Sequence, residues 1–323
     1  MGTARISGEY LERGRIAPRT AALLLGLMAL PFIVGPLLAP AVFNLLVWAG
    51  RSFPALEGLR AVEFESVFTR CLLLTGVLML WPVLSKLARL GISLRDIAGE
   101  GSWNALGRGL LLGILSMVLV PLAGLIAGAY RLDPQADLLG LAFAIAGSLL
   151  AGLMVALIEE LIFRGMVFGL LRHLGGTVFA ALFSAAVFSL VHFLNPVLPA
   201  GVVYGHWYSG FQTFAVVARS FAEFTVHIFP YSLTLFLIGL SLTLLYARRG
   251  RLLLVVGVHA GWITVLKTSS DMLARTGRFA KLFGEDMVLS KTYLVAIVAA
   301  LFLIGVIAFR RKAAGWARSR KAV

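Results

Sequence analysis

Apolar residues in this chain come in long uninterrupted runs, separated by short stretches that hold nearly all the charge. Thr20–Gly50 contains no charged residue. Signal-peptide apolar regions run only about 7–15 residues, so this stretch reads as an uncleaved first span. Pro31, Pro36 and Pro40 predict a kink in it, or a short interfacial piece after it. Residues 51–70 are mixed polar and read as external. Cys71–Ser85 forms a second run, and 86–108, with Lys86, Arg89, Arg95 and Arg108 against Asp96 and Glu100, reads as an amphipathic cytoplasmic connector. Gly109–Tyr130 is a third uncharged run, closed by a turn at Arg131-Leu132-Asp133-Pro134. A fourth extends from Leu138 to Leu171, and Gly175-Gly176 predicts the end of its helix. Thr177–Asn195 is the fifth. Residues 196–229 hold Tyr204, Trp207, Tyr208, Phe211, Phe214, Phe221 and Phe224, too many aromatics for an ordinary loop, and read as interfacial or re-entrant. Tyr231–Tyr246, Leu252–Leu266 and Thr292–Phe309 complete the set, with a polar stretch over 267–291. The pattern predicts an all-α polytopic transmembrane helical bundle of about 8 spans, one membrane domain over 1–323.

Composition agrees: 60% hydrophobic and 14% charged residues with a mean hydropathy of +0.94 lie far outside globular usage. A net charge of +14 raises the question of nucleic acid. The positive residues cluster at the ends of apolar runs, and no basic stretch is interleaved with aromatics, which argues against it. Placing both termini in the cytoplasm puts most of the Lys and Arg inside, including a basic tail over 310–323 with Arg310, Arg311, Lys312, Arg318, Arg320 and Lys321. The expected location is a bacterial cytoplasmic (inner) membrane, with the lipid bilayer as first partner. The single cysteine, Cys71, excludes an internal disulfide or a cysteine metal cluster and reads as packing.

Glu159, Glu160 and Arg164 interrupt the fourth run. A charge at the centre of a membrane helix costs roughly 2.5–3.5 kcal/mol on insertion scales, so three within six positions need a reason. Glu160 and Arg164 are four apart on a helix and can pair. Glu159 points about 100° away and is left to act. Helix rise gives the depths: Glu160 lies roughly 18 Å before the Arg172 turn, His192 roughly 22 Å beyond Thr177, and His259 roughly 12 Å beyond Arg251. The agreement predicts one intramembrane cluster of Glu159, Glu160, His192 and His259. A glutamate with two imidazoles can activate water as a general base, or hold a divalent metal such as zinc through Glu159, His192 and His259, with water as the fourth ligand. The plainer readings are that a membrane histidine only bonds helix to helix, and that Glu160–Arg164 only holds the fold. His173 reads as interfacial or capping, and His206 and His227 as weaker candidates.

The motifs Glu159-Glu160-x-x-x-Arg164, Phe188-x-x-x-His192 and His259-x-x-x-Ile263, in order on successive runs, resemble the CPBP family over about residues 85–267. These are the type II CAAX prenyl endopeptidases and the bacteriocin-processing, or ABI, proteins. The resemblance implies that Glu159 and His192 activate the attacking water, and that His259 and the residue four positions on stabilise the oxyanion. It leaves metal use open. This chain departs at that last position, where Ile263 replaces an Asn or Asp. Either another residue (Trp262, Thr264, His206 or His227) then supplies the donor, or a metal does, or activity is weak or lost. There is no His-Glu-x-x-His, Gly-x-Ser-Gly or Gly-x-Gly-Asp signature. The implied function is an intramembrane endopeptidase acting on a membrane-associated or lipidated peptide. The alternatives are a proton- or ion-coupled transporter, since buried carboxylates and histidines also relay protons, and a catalytically silent partner-binding or immunity protein, which Ile263 favours.

Overall fold

A computed structural model describes residues 16–99, 102–192, 205–222, 228–279 and 293–319. His227 and the last residues of the basic tail lie outside these. Apart from two three-residue strands, the ordered elements among the described residues are helical. Among the described residues, six helical runs are long and apolar enough to cross a membrane: Pro18–Ser52, Phe64–Arg89, Leu94–Ile126, Leu138–Val191, Tyr231–Arg249 and Leu252–Met272. Tyr293–Ile307 is a shorter apolar helix. The protein is an integral multi-pass membrane protein of all-α architecture. Its residues group into two compact units, one within Ile92–Ser189 and Val226–Val323, the other within Ile16–Gly91 and Leu190–Thr225.

In the second of these, α1 (Pro18–Ala29) breaks at Leu30 and α2 (Pro31–Ser52) begins on a proline. Pro31 sits at the first helical position, where its missing N–H costs nothing. Pro36 and Pro40 stay inside α2. A short 3-10 helix (Pro54–Ala61) leads into α3 (Phe64–Arg89), longer at both ends than the predicted Cys71–Ser85. Ala39, Phe64, Val67, Phe68 and Cys71 form its core, which gives Cys71 the expected packing role. The described part of the aromatic connection is a helix, α9 (Ser209–Ala222). It packs on α2 so closely that a Cβ at Gly210 would run into Pro36 O. Phe214 adds its ring edge-on to Phe68.

The other unit starts with α4 (Leu94–Ala98), opened by a capping box in which Ser93 and Asp96 exchange hydrogen bonds. Ser102 caps α5 (Trp103–Met117), and α6 (Leu119–Ile126) follows. Next come β1 (Tyr130–Leu132), α7 (Leu138–Glu160), a π-helical turn (Leu161–Val167) and α8 (Phe168–Val191). Then follow α10 (Ile228–Arg249), α11 (Leu252–Met272), β2 (Leu273–Arg275) and α12 (Tyr293–Ser319). Gly176 adopts φ 79° inside α8, so the chain breaks at the predicted glycine pair and at once turns helical again.

Two expectations change. The turn at Arg131-Leu132-Asp133-Pro134 begins as a strand, because β1 pairs antiparallel with β2 and Thr276 Oγ1 donates to Gly128 O at 2.6 Å. A three-residue pair between segments so far apart leaves no period in either. The fourth run is also not a plain α-helix: the π-turn widens it just after Glu160.

Candidate active site

The charged motif straddles the start of that π-turn, with Glu159 and Glu160 closing α7 and Arg164 on the π-turn itself. Widening the helix shifts Phe163 O to accept from the Phe168 N–H five residues on, and Ser184 Oγ on α8 also donates to it at 3.4 Å. π-turns are uncommon and concentrate at functional sites. Glu160 and Arg164, both 0% exposed, form the predicted ion pair, with Arg164 Nη1 donating to Glu160 Oε1 at 2.9 Å. The guanidinium does more than pair. Nη2 donates to Gly239 O on α10 at 3.0 Å, and its carbon lies 4.7 Å above the Phe188 ring. A cation over a desolvated ring gains about 2 kcal/mol at best, so the carboxylate supplies most of the compensation.

His259 reaches the site because of how α11 packs. Gly257 and Gly261 on α11 face Gly109 and Gly113 on α5. A Cβ on Gly257, Gly109 or Gly113 would run into a backbone carbonyl of the facing helix, and one on Gly261 would lie 2.7 Å from Leu110 O. Small residues four apart on both helices let the backbones touch. With α5 occupying that side, the intervening His259, about 200° from Gly257, turns toward α7.

His259 was expected in one cluster with Glu159 and Glu160, and its Nδ1 lies 2.8 Å from Glu160 Oε1. Glu160, paired with Arg164, accepts there from the Nδ1–H. Glu160 therefore joins Arg164 to His259. Nε2 then faces Glu159, 3.9 Å from its Oε2. Glu159 is the more open of the two, 24% exposed in its side chain against 0% for Glu160. Glu160 Oε2 and Arg164 Nε–H have no hydrogen-bond partner among the described residues, so an ordered water or a ligand group would satisfy them. Phe188 packs edge-on to both Phe163 and His259, which accounts for an aromatic at that motif position.

The other candidates are placed differently. His192 follows Val191 at the end of α8, half-buried, and belongs to the second unit. His206 is exposed in that unit and stacks on Tyr208 at 5.3 Å. His173 lies half-buried just before the Gly176 break. Trp262 and Thr264 do not have a spare donor to offer in place of an Asn or Asp at 263. Trp262 Nε1–H donates to Ser116 Oγ at 2.9 Å, and Thr264 Oγ1 donates to Ala260 O at 2.7 Å. Ile263 itself packs on Gly152 of α7, where a Cβ would meet it at 3.4 Å. Sequence reasoning missed Tyr231, half-buried in the first turns of α10. No spacing rule points to it, since it stands outside every motif.

A zinc ion would hold two ligands at about 2.1 Å each, and so roughly 3.4 Å apart in tetrahedral geometry. Glu159 Oε2 and His259 Nε2 are wider than that, at 3.9 Å. Among the described residues no three His, Cys, Asp or Glu side chains gather as a metal site. A water at about 2.8 Å from each atom spans the gap between Glu159 and His259.

Residues 141–265, from the start of α7 to well into α11, match the model of a family described as Type II CAAX prenyl endopeptidase Rce1-like. No curated protein and no solved structure matches the chain.

Proposed function

From the CPBP-family domain over residues 141–265, we propose that this membrane protein is an intramembrane endopeptidase, hydrolysing a peptide bond of a lipidated or membrane-associated peptide near the cytoplasmic side of the bilayer. The observation that carries the reading is the stack Arg164–Glu160–His259–Glu159, which ends in a carboxylate and an imidazole nitrogen 3.9 Å apart. Arg164 and Glu160 fix the ring through Nδ1 and leave Nε2 for chemistry. Glu159 takes a proton from a water in the gap as its oxygen attacks the scissile carbonyl carbon. His259 Nε2–H donates to the oxyanion that forms. Collapse breaks the C–N bond, and the proton held by Glu159 passes to the leaving amine. For His192 the family resemblance of its motif position is what implies a part in activating the water. Desolvation strengthens each of these interactions, because little water screens them.

The test uses protein in lipid nanodiscs and a quenched fluorescent peptide ending in a farnesylated Cys-aliphatic-aliphatic-X sequence. Wild type cleaves it and Glu159→Ala loses at least about 10³-fold in kcat/KM with an unchanged unfolding temperature. An equally active Glu159→Ala ends the proposal. Dialysis against a zinc chelator leaves the wild-type rate unchanged, and a loss restored by zinc would bring a metal into the mechanism. One observation favours a second reading, a silent partner-binding protein: position 263 carries an isoleucine packed on Gly152 rather than a donor. That reading expects an uncleaved membrane partner to co-purify equally with wild type and Glu159→Ala.

A further inference from the structure

Ile263 leaves the oxyanion with His259 alone, and Trp262 and Thr264 have committed their donors elsewhere. We propose that the Tyr231 hydroxyl supplies the missing oxyanion hydrogen bond. The inference rests on the endopeptidase reading above.

Register places Tyr231 at the right level. The far half of α8 and the start of α10 run antiparallel. Ser189 Oγ donates to Ser232 O at 3.0 Å, and a Cβ at Gly239 would meet Ala185 Cα at 3.2 Å and the Phe188 ring at 3.1 Å. Phe188 is the residue that packs on His259 and Arg164, so α10 is tied to the cluster both at Gly239 and at Ser232. Tyr231 adjoins Ser232. Glu159 lies one turn before Phe163, whose ring packs on Phe188. Tyr231 and Glu159 therefore reach the same end of the cluster from two helices. Tyr231 is half-buried, open enough to meet a substrate and sheltered enough for its hydrogen bond to count.

The chemistry fits. A phenol keeps its proton at neutral pH and is a strong single donor. In the ground state its O–H serves the Glu159 carboxylate or water. When the water oxygen bonds to the carbonyl carbon and its proton goes to Glu159, negative charge leaves the carboxylate and appears on the carbonyl oxygen. A donor between the two turns from one to the other without moving far. That selectivity for the transition state raises kcat rather than tightening substrate binding.

The experiment compares wild type, Glu159→Ala and Tyr231→Phe in nanodiscs on the farnesylated quenched peptide, with kcat, KM and the pH profile of kcat/KM recorded for each and unfolding temperatures as the fold check. Tyr231→Phe is expected to lower kcat about 10²–10³-fold, the usual cost of one oxyanion donor, with KM and the acid limb of the pH profile unchanged. A kcat within threefold of wild type overturns the assignment. So does a loss that comes as a shifted acid limb, because Tyr231 would then be a positioning residue for Glu159. If wild type cleaves no better than Glu159→Ala, the endopeptidase reading itself has failed and this inference falls with it. If wild type cleaves, Glu159→Ala does not, and Tyr231→Phe is unimpaired, only the role of Tyr231 is lost.

Discussion

Arg164→Met strands a carboxylate. The substitution keeps most of the side-chain volume and removes the 2.9 Å contact to Glu160, the 3.0 Å contact to Gly239 O and the cation over Phe188. Gly239 O also accepts from Thr243 Oγ1 at 2.8 Å, so its loss is small. The carboxylate decides the magnitude. Breaking a buried pair by removing one partner costs about 3–5 kcal/mol, because the remaining charge stays desolvated. The opposing effect is that chains unfolded within a membrane also find partners, which holds typical interhelical hydrogen bonds there to about 0.6 kcal/mol. At 0% exposure for both side chains the stranded charge wins. Arg164→Met should therefore destabilise by about 3–5 kcal/mol. The double variant Glu160→Gln/Arg164→Met, which removes both charges, should cost less than the two singles added, with a coupling of at least about 2 kcal/mol. The assay is detergent-induced unfolding in mixed micelles, followed by tryptophan fluorescence for the four members of the cycle. A coupling below about 0.5 kcal/mol would refute the reasoning, since the pair would then be no more than a solvated surface bridge.

Two further predictions concern the scaffold. Gly113→Ala places a Cβ against Val258 O, a backbone atom that cannot yield, so it should lower the unfolding temperature and disturb His259, whereas Gly107→Ala, with open space around it, should not; paired melts and peptide cleavage check this. Ser93 Oγ caps α4 by accepting from Asp96 N–H at 3.2 Å, so Ser93→Ala should destabilise by about 1 kcal/mol, read in the same paired melts.

Local pattern determined the class of this protein and pointed to much of its candidate site. Uncharged runs longer than a membrane is thick specify spanning helices whatever they pack against. Glu159, Glu160 and Arg164 stood out because charge in such a run is costly, and the four-residue spacing gave the Glu160–Arg164 pair. The glycine pair marked the break at Gly176 for the same local reason. One legible signal went unread: Gly109/Gly113 and Gly257/Gly261 are small residues four apart, the spacing that lets membrane helices touch. Tertiary structure decided the rest. Which carboxylate His259 bonds depends on the rotation of α11 about its axis, fixed by glycine contacts with α5. Whether Trp262 or Thr264 has a donor to spare depends on Ser116, far off in sequence, and on a rotamer. The π-turn, the Arg164–Gly239 contact and the β1–β2 pair are likewise non-local. Periodicity reports which face of a helix is apolar, but the partner met on that face is chosen by the packing of helices distant in the chain.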